Sequence, residues 1–143
     1  MPNRGILPCA ALGILALTSI GDDARAQSCF RHPNRAFDSL TALPALIRGD
    51  LSAMSEKDGP FNGTDTIMPG VPITRFISAG QIGDLYFVWY ELGGAFYTKA
   101  LALYRIAAGG TIFERVPQRY YALEPEAVCQ IIDDVADGKT PQS

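Results

Sequence analysis

The sequence predicts an α+β domain with three parts: a four-stranded antiparallel meander over about residues 73–116, an N-terminal helix or helices and a C-terminal helix packed on one sheet face, and one disulfide. Three observations carry the prediction. Residues 73–116 fall into four runs rich in aromatic and β-branched side chains, separated by glycine-containing turns. The segments on either side repeat apolar residues at helical spacing. Two cysteines remain once an export signal is removed.

That signal comes first in the chain. Met1-Pro2-Asn3-Arg4 is a basic start, Gly5 to Ile20 is uncharged and mostly apolar, and Ala24-Arg25-Ala26 is a small-residue cleavage triplet. Cleavage over residues 1–26 makes Gln27 the first mature residue, leaving residues 27–137 as a single domain and 138–143 as a flexible tail. The expected destination is the periplasm or the exterior. The apolar run holds 16 residues with Pro8 among them, short of the about 20 that a spanning helix needs, so no stable membrane span is expected after cleavage. Cys9 precedes most of that run, which is the wrong place for a lipid-modified cysteine.

The removed segment takes two arginines and two aspartates with it, so the net charge stays at −3. A mildly acidic chain without a basic run has no electrostatic footprint for nucleic acid or an anionic membrane surface, and neither is an expected partner. Cys29 and Cys129 are the remaining thiols of a chain sent to an oxidising space, and only one pairing exists. On the chain-entropy account, a bridge over 100 residues stabilises by up to about 4–5 kcal/mol. A metal or redox role is less suited to this pair. There is no C-x-x-C, His32 is the single histidine, and a zinc site needs four ligands. No cofactor or metal is expected.

Phe37, Leu40, Leu43 and Ile47 recur at helical spacing, with Asn34 or Asp38 as a cap, Pro44 as a kink or break and Gly49 as a stop. A short second turn from Asp50 places Leu51 and Met54 inward. Turn formers then dominate from Asp58 to Pro72, which reads as a long loop pinned by Phe61 and Ile67. Within it Asn62-Gly63-Thr64 matches the glycosylation acceptor pattern. The four strand runs are Ile73–Ser78, Asp84–Leu92, Ala95–Ile106 and Thr111–Val116, and Arg119–Ala122 extends the last one or adds a short fifth. A final helix starts at Glu124-Pro125-Glu126, buries Val128, Ile131, Ile132 and Val135, and stops at Gly138. Helices before and after the sheet suggest a two-layer packing, with a small closed barrel as the runner-up.

Gly93-Gly94, taken as a two-residue hairpin turn, opposes Leu92 to Ala95. On that register Leu85, Phe87 and Trp89 face Ala102, Ala100 and Thr98 on the core side. The other side pairs Tyr86 with Leu101, Val88 with Lys99 and Tyr90 with Tyr97. Tyr86, Tyr90, Tyr97 and Lys99 therefore form the candidate partner face, because rigid amphipathic rings suit recognition. The plainer alternative is that these rings pack beneath the long loop.

Catalytic signatures are thin. The sequence has no G-x-S-x-G, H-E-x-x-H or phosphate-cradling G-x-x-x-x-G-K motif, and no catalytic residue is assigned. Glu91 with Tyr90, Tyr97 and Lys99 is the one group suited to acid and base work, yet the two-residue turn aims Glu91 away from the others. Asp133, Asp134 and Asp137 read as a solvated acidic face. The leading expectation is a small exported binding protein, an inhibitor or accessory subunit, whose partner is another exported protein or a small ligand. An enzyme without a local motif comes second and a structural envelope component third.

Overall fold

The run Leu85-Tyr-Phe-Val-Trp-Tyr-Glu-Leu92 is bulky and mostly apolar at consecutive positions, so a strand built from it needs cover on both faces. The computed structural model describes residues 30–107, 109–110, 113–116, 120–121 and 123–139, and both faces are covered there. The spine of the sheet is β3 (Thr74–Ile82), β4 (Leu85–Leu92), β5 (Thr98–Ile106) and β6 (Phe113–Arg115), paired antiparallel in that order as the sequence predicts. The sheet is wider than the four-stranded meander, however, with seven strands among the described residues.

Three short strands account for the difference. β1 (Arg35–Phe37) pairs antiparallel with the far end of β3, where a helix start was expected. β2 (Met54–Ser55) lies parallel to the start of β3, and β7 (Tyr120–Tyr121) is the short fifth strand, paired with β5. The predicted N-terminal helix is correspondingly reduced. A 3-10 helix at Leu40–Ala42 is followed by α1 (Ala45–Asp50), with Pro44 between them as the break. The last helix, α2 (Pro125–Ala136), has the predicted start and stripe, and Gly138 follows it at φ +74°.

The helices do not share a face. Leu43, Ile47 and Leu51, from α1 and its flanks, pack with Phe76, Val88, Tyr90, Ala100, Ala102 and Tyr104. Val128, Ile132 and Val135 of α2 pack with Leu85, Phe87, Trp89, Leu101 and Leu103 on the opposite side. The expectation of a single helical layer is thus corrected, and the alternating bulk of β4 and β5 is the reason. Alanines at 100 and 102 give Tyr90 and Val88 room under α1, while leucines at 101 and 103 complete the α2 core. At the edge of the α1 core, the Tyr104 hydroxyl donates to Asp50 at 2.8 Å. Arg115 also donates to Asp50, at 2.9 Å, tying β5 and β6 to the end of α1.

The hairpin register is also corrected. Leu92 opposes Thr98, not Ala95, a displacement of three residues that exchanges the faces of β5 relative to β4. Gly93 and Gly94 do not close a two-residue turn. Their N–H groups donate to Ile73 and Asn62 carbonyls at 2.8 and 3.0 Å, so both glycines are bound to the long loop and the connection runs on to Tyr97. A Cβ at Gly93 would lie within 1.9 Å of the Asn62 carbonyl oxygen, so this approach requires glycine.

Asn62 is the pin of that loop, and Ile67 is exposed. The Asn62 amide donates to Met68 and Val71 carbonyls and its oxygen accepts from the Met68 N–H, with the side chain 2% exposed. The glycosylation pattern at Asn62 is accounted for by this buried role. Asp133 is likewise not solvated. Its Oδ2 accepts from the Arg31 backbone at 2.9 Å and side chain at 3.3 Å, while Arg31 also meets Asp134 and Asp137, and His32 meets Asp137. The expected acidic face therefore clamps the start of the described chain along α2.

Candidate functional site

α2 begins at Pro125, level with Trp89, whereas the sheet beneath it continues for another row. That row holds Arg75 on β3, Glu91 on β4 and Lys99 on β5, directly opposed across adjacent strands. The register break between Phe76 and Ser78 is a bulge at Ile77 that lets Phe76 enter the α1 core while Arg75 pairs with Glu91 on the α2 side. Where the helix stops and the strands go on, a cleft of about 440 Å³ opens. Trp89, Arg75, Glu91 and Lys99 line its sheet wall, Lys57 and Asp58 the loop side, and Glu124 and Pro125 the helix side.

Glu91 is the electrostatic centre. Arg75 Nε donates to its Oε2 and the Tyr97 hydroxyl to its Oε1, at 2.5 and 2.6 Å. The Phe61 ring lies 4.1 Å beneath the Arg75 guanidinium and holds it from the far side. Burial alone pushes the Glu91 carboxyl up, but the hydrogen bonds from Arg75 and Tyr97 and the nearby Lys99 charge outweigh it and leave its pKa below the ordinary value. The same bond to Glu91 is the main cause that raises both Arg75 and Tyr97. Near neutral pH the group is thus a compensated carboxylate with a protonated phenol, stable as a recognition element and a poor proton acceptor.

A carboxylate whose folded pKa is depressed stabilises the fold above its unfolded pKa, and the contribution is lost as pH falls through the folded value. Glu91→Gln is therefore expected to melt below the wild type at pH 7, with the gap closing below about pH 4. Thermal melts from pH 7 to pH 3 measure it. A gap that stays constant over that window would show that Glu91 is not held by this pairing.

The four residues of the predicted partner face are not brought together. Tyr90 is 6% exposed in the α1 core, opposite Phe76 and Ala100. Tyr86 is half-buried on that same side, stacked on Phe37 with ring centres 6.2 Å apart. Tyr97 is exposed in the hairpin connection, and Lys99 sits on the α2 side with its ammonium 5.2 Å from the centre of the Trp89 ring. Glu91, Tyr97 and Lys99 do gather, without Tyr90. Arg75 and Trp89 complete the group and were not singled out from the sequence. The missed signal is the lone charge that each strand carries at this end, Arg75, Glu91 and Lys99.

Cys29 lies outside the described residues, and Cys129 is buried on the inner side of α2. Among the described residues, no helix is long and apolar enough to cross a membrane and no three side chains are grouped to hold a metal ion. Compared with protein-family models, with curated protein sequences and with solved structures, the chain matches none.

Proposed function

We propose that the mature chain is an exported binding protein, periplasmic or secreted, that recognises another exported protein or a small ligand through the end of the sheet where the hairpin connection and the long loop meet. One observation carries the reading. Among the described residues seven large apolar side chains are exposed, and five of them, Ile67, Met68, Ile73, Phe96 and Tyr97, come from those two hydrogen-bonded segments. Exposed apolar groups concentrated at one place, beside a charged cleft, suit a recognition surface. Phe96 at 87% exposure has no folding role to explain it. Of the original partner face, Tyr97 and Lys99 stay in the surface and Tyr86 and Tyr90 leave it. Binding is favoured over acid and base catalysis because Glu91 is already compensated by Arg75 and Tyr97.

Residues 1–26 are the export signal in this reading, and Cys29 is bonded to Cys129. The second point is supported by Phe30, the next residue after Cys29, which lines the same small apolar pocket as Cys129. The clamp of Arg31 on Asp133 also keeps this segment against α2. The test is to recover the tagged protein from the exported fraction of its own host after crosslinking. Its intact mass should correspond to a chain starting at Gln27 that gains two hydrogens on reduction. A stoichiometric partner captured by the wild type should fall by about tenfold with Phe96→Ser/Tyr97→Ser. Equal capture by the folded double variant would place recognition elsewhere, and an uncleaved chain would end the export reading.

A further inference from the structure

The cleft behind that surface has a definite chemical bias, and its interpretation rests on the binding reading above. Arg75 and Tyr97 are both committed to Glu91, one to each carboxylate oxygen, so the central carboxylate is already satisfied. Lys99, on the other side of Glu91 in the row, holds its ammonium over Trp89 at the sheet wall of the cleft. Trp89 is itself 6% exposed, and its indole Nε1, which can only donate, has no acceptor among the described residues. The adjoining wall is the start of α2, a 12-residue helix whose Ncap Glu124 makes no side-chain capping bond. The carboxylates of Asp58 and Glu124 stand exposed at the rim, where solvent screens them. Donors therefore exceed acceptors at the sheet wall.

We propose that this cleft is a carboxylate-binding site, with Lys99 as the charge partner and Trp89 as the wall against which the ligand sits. Its volume of about 440 Å³ falls in the range of small-molecule pockets and suits a group the size of an amino acid or a short peptide end. The carboxylate comes either from a small free acid or from a peptide terminus, and the probes below separate the two.

Trp89 is the single tryptophan of the chain and lines this cleft, so its fluorescence responds to a ligand seated there. The mature protein is titrated with succinate, with N-acetyl-dialanine and with the C-terminal amide of that peptide, with calorimetry in parallel. A saturable response to at least one acid is expected, with the amide binding about tenfold or more weakly, as loss of a charge-assisted bond implies. A tighter fit for the peptide acid identifies a peptide end, and a tighter fit for succinate a small free acid. Lys99→Gln should remove the preference for acid over amide, and Lys99→Arg should keep it, with thermal melts confirming that both variants fold. Equal binding of acid and amide, or neither heat nor fluorescence change with either acid up to about 10 mM, would overturn the proposal. Phe96→Ser alone, at an exposed residue outside the cleft, should bind the acids like the wild type. If the acids fail while Phe96→Ser/Tyr97→Ser still loses the protein partner that the wild type captures, this inference falls and the binding reading stands.

Discussion

Tyr90→Ala is expected to destabilise the domain by about 3–5 kcal/mol, the scale of a buried aromatic side chain cut back to alanine. Tyr90 is 6% exposed and fills the space between Phe76 on β3 and Ala100 on β5, beneath Leu43, Ile47 and Leu51. Ala100 is fully buried and supplies no bulk to close the hole, so the cavity term adds to the lost transfer energy. Tyr97→Ala is the internal control. Its ring is 52% exposed and its hydroxyl donates to Glu91 at the surface, so the cost should stay below about 1 kcal/mol. Urea unfolding of both variants separates the two positions. Similar, small losses for both would mean that Tyr90 lies outside the core and that Leu92 does not oppose Thr98.

Ile132→Ala should cost about 2–5 kcal/mol. Ile132 has no exposed surface and sits at the middle of the α2 stripe, against the Leu85, Phe87 and Leu103 face of the sheet. The helix cannot tilt freely to fill the gap. Arg105 on β5 donates to the Val135 carbonyl at 3.0 Å, and the Arg31–Asp133 pair fixes the opposite side of α2. Ile131, only half-buried, should lose clearly less on the same substitution. Denaturant unfolding with an unchanged m-value is the measurement. A loss below about 0.5 kcal/mol at Ile132 would remove α2 from that face.

Local rules were readable where one residue or one period decides. Pro125 at the first helical position, the Val128, Ile132, Val135 spacing and Gly138 at positive φ define α2 from its own residues. Pro44 breaks the N-terminal apolar run for an equally local reason, because its ring excludes the preceding turn. The cleft was half legible. The sequence groups Glu91 with Tyr90, Tyr97 and Lys99 as the one set suited to proton chemistry, and a two-residue turn separates Glu91 from the other three. Matching charges across strands instead of glycines in the turn would have placed Arg75 opposite Glu91 and Glu91 opposite Lys99, which is the observed register.

The sequence by itself determined the antiparallel spine, the last helix and its buried stripe, because these follow from side-chain period and turn residues within a few positions of each other. Only the tertiary structure decided which face each strand presents. Gly93 and Gly94 give their N–H groups to Ile73 and Asn62, residues some 20 to 30 positions away, and a hydrogen bond of that range leaves no mark in the local pattern. That choice moved Tyr90 into the α1 core, put the N-terminal helix and α2 on opposite faces, and lined up Arg75, Glu91 and Lys99 where α2 ends. The cleft exists because the strands outrun the helix that covers them, a relation between two elements that neither one encodes alone.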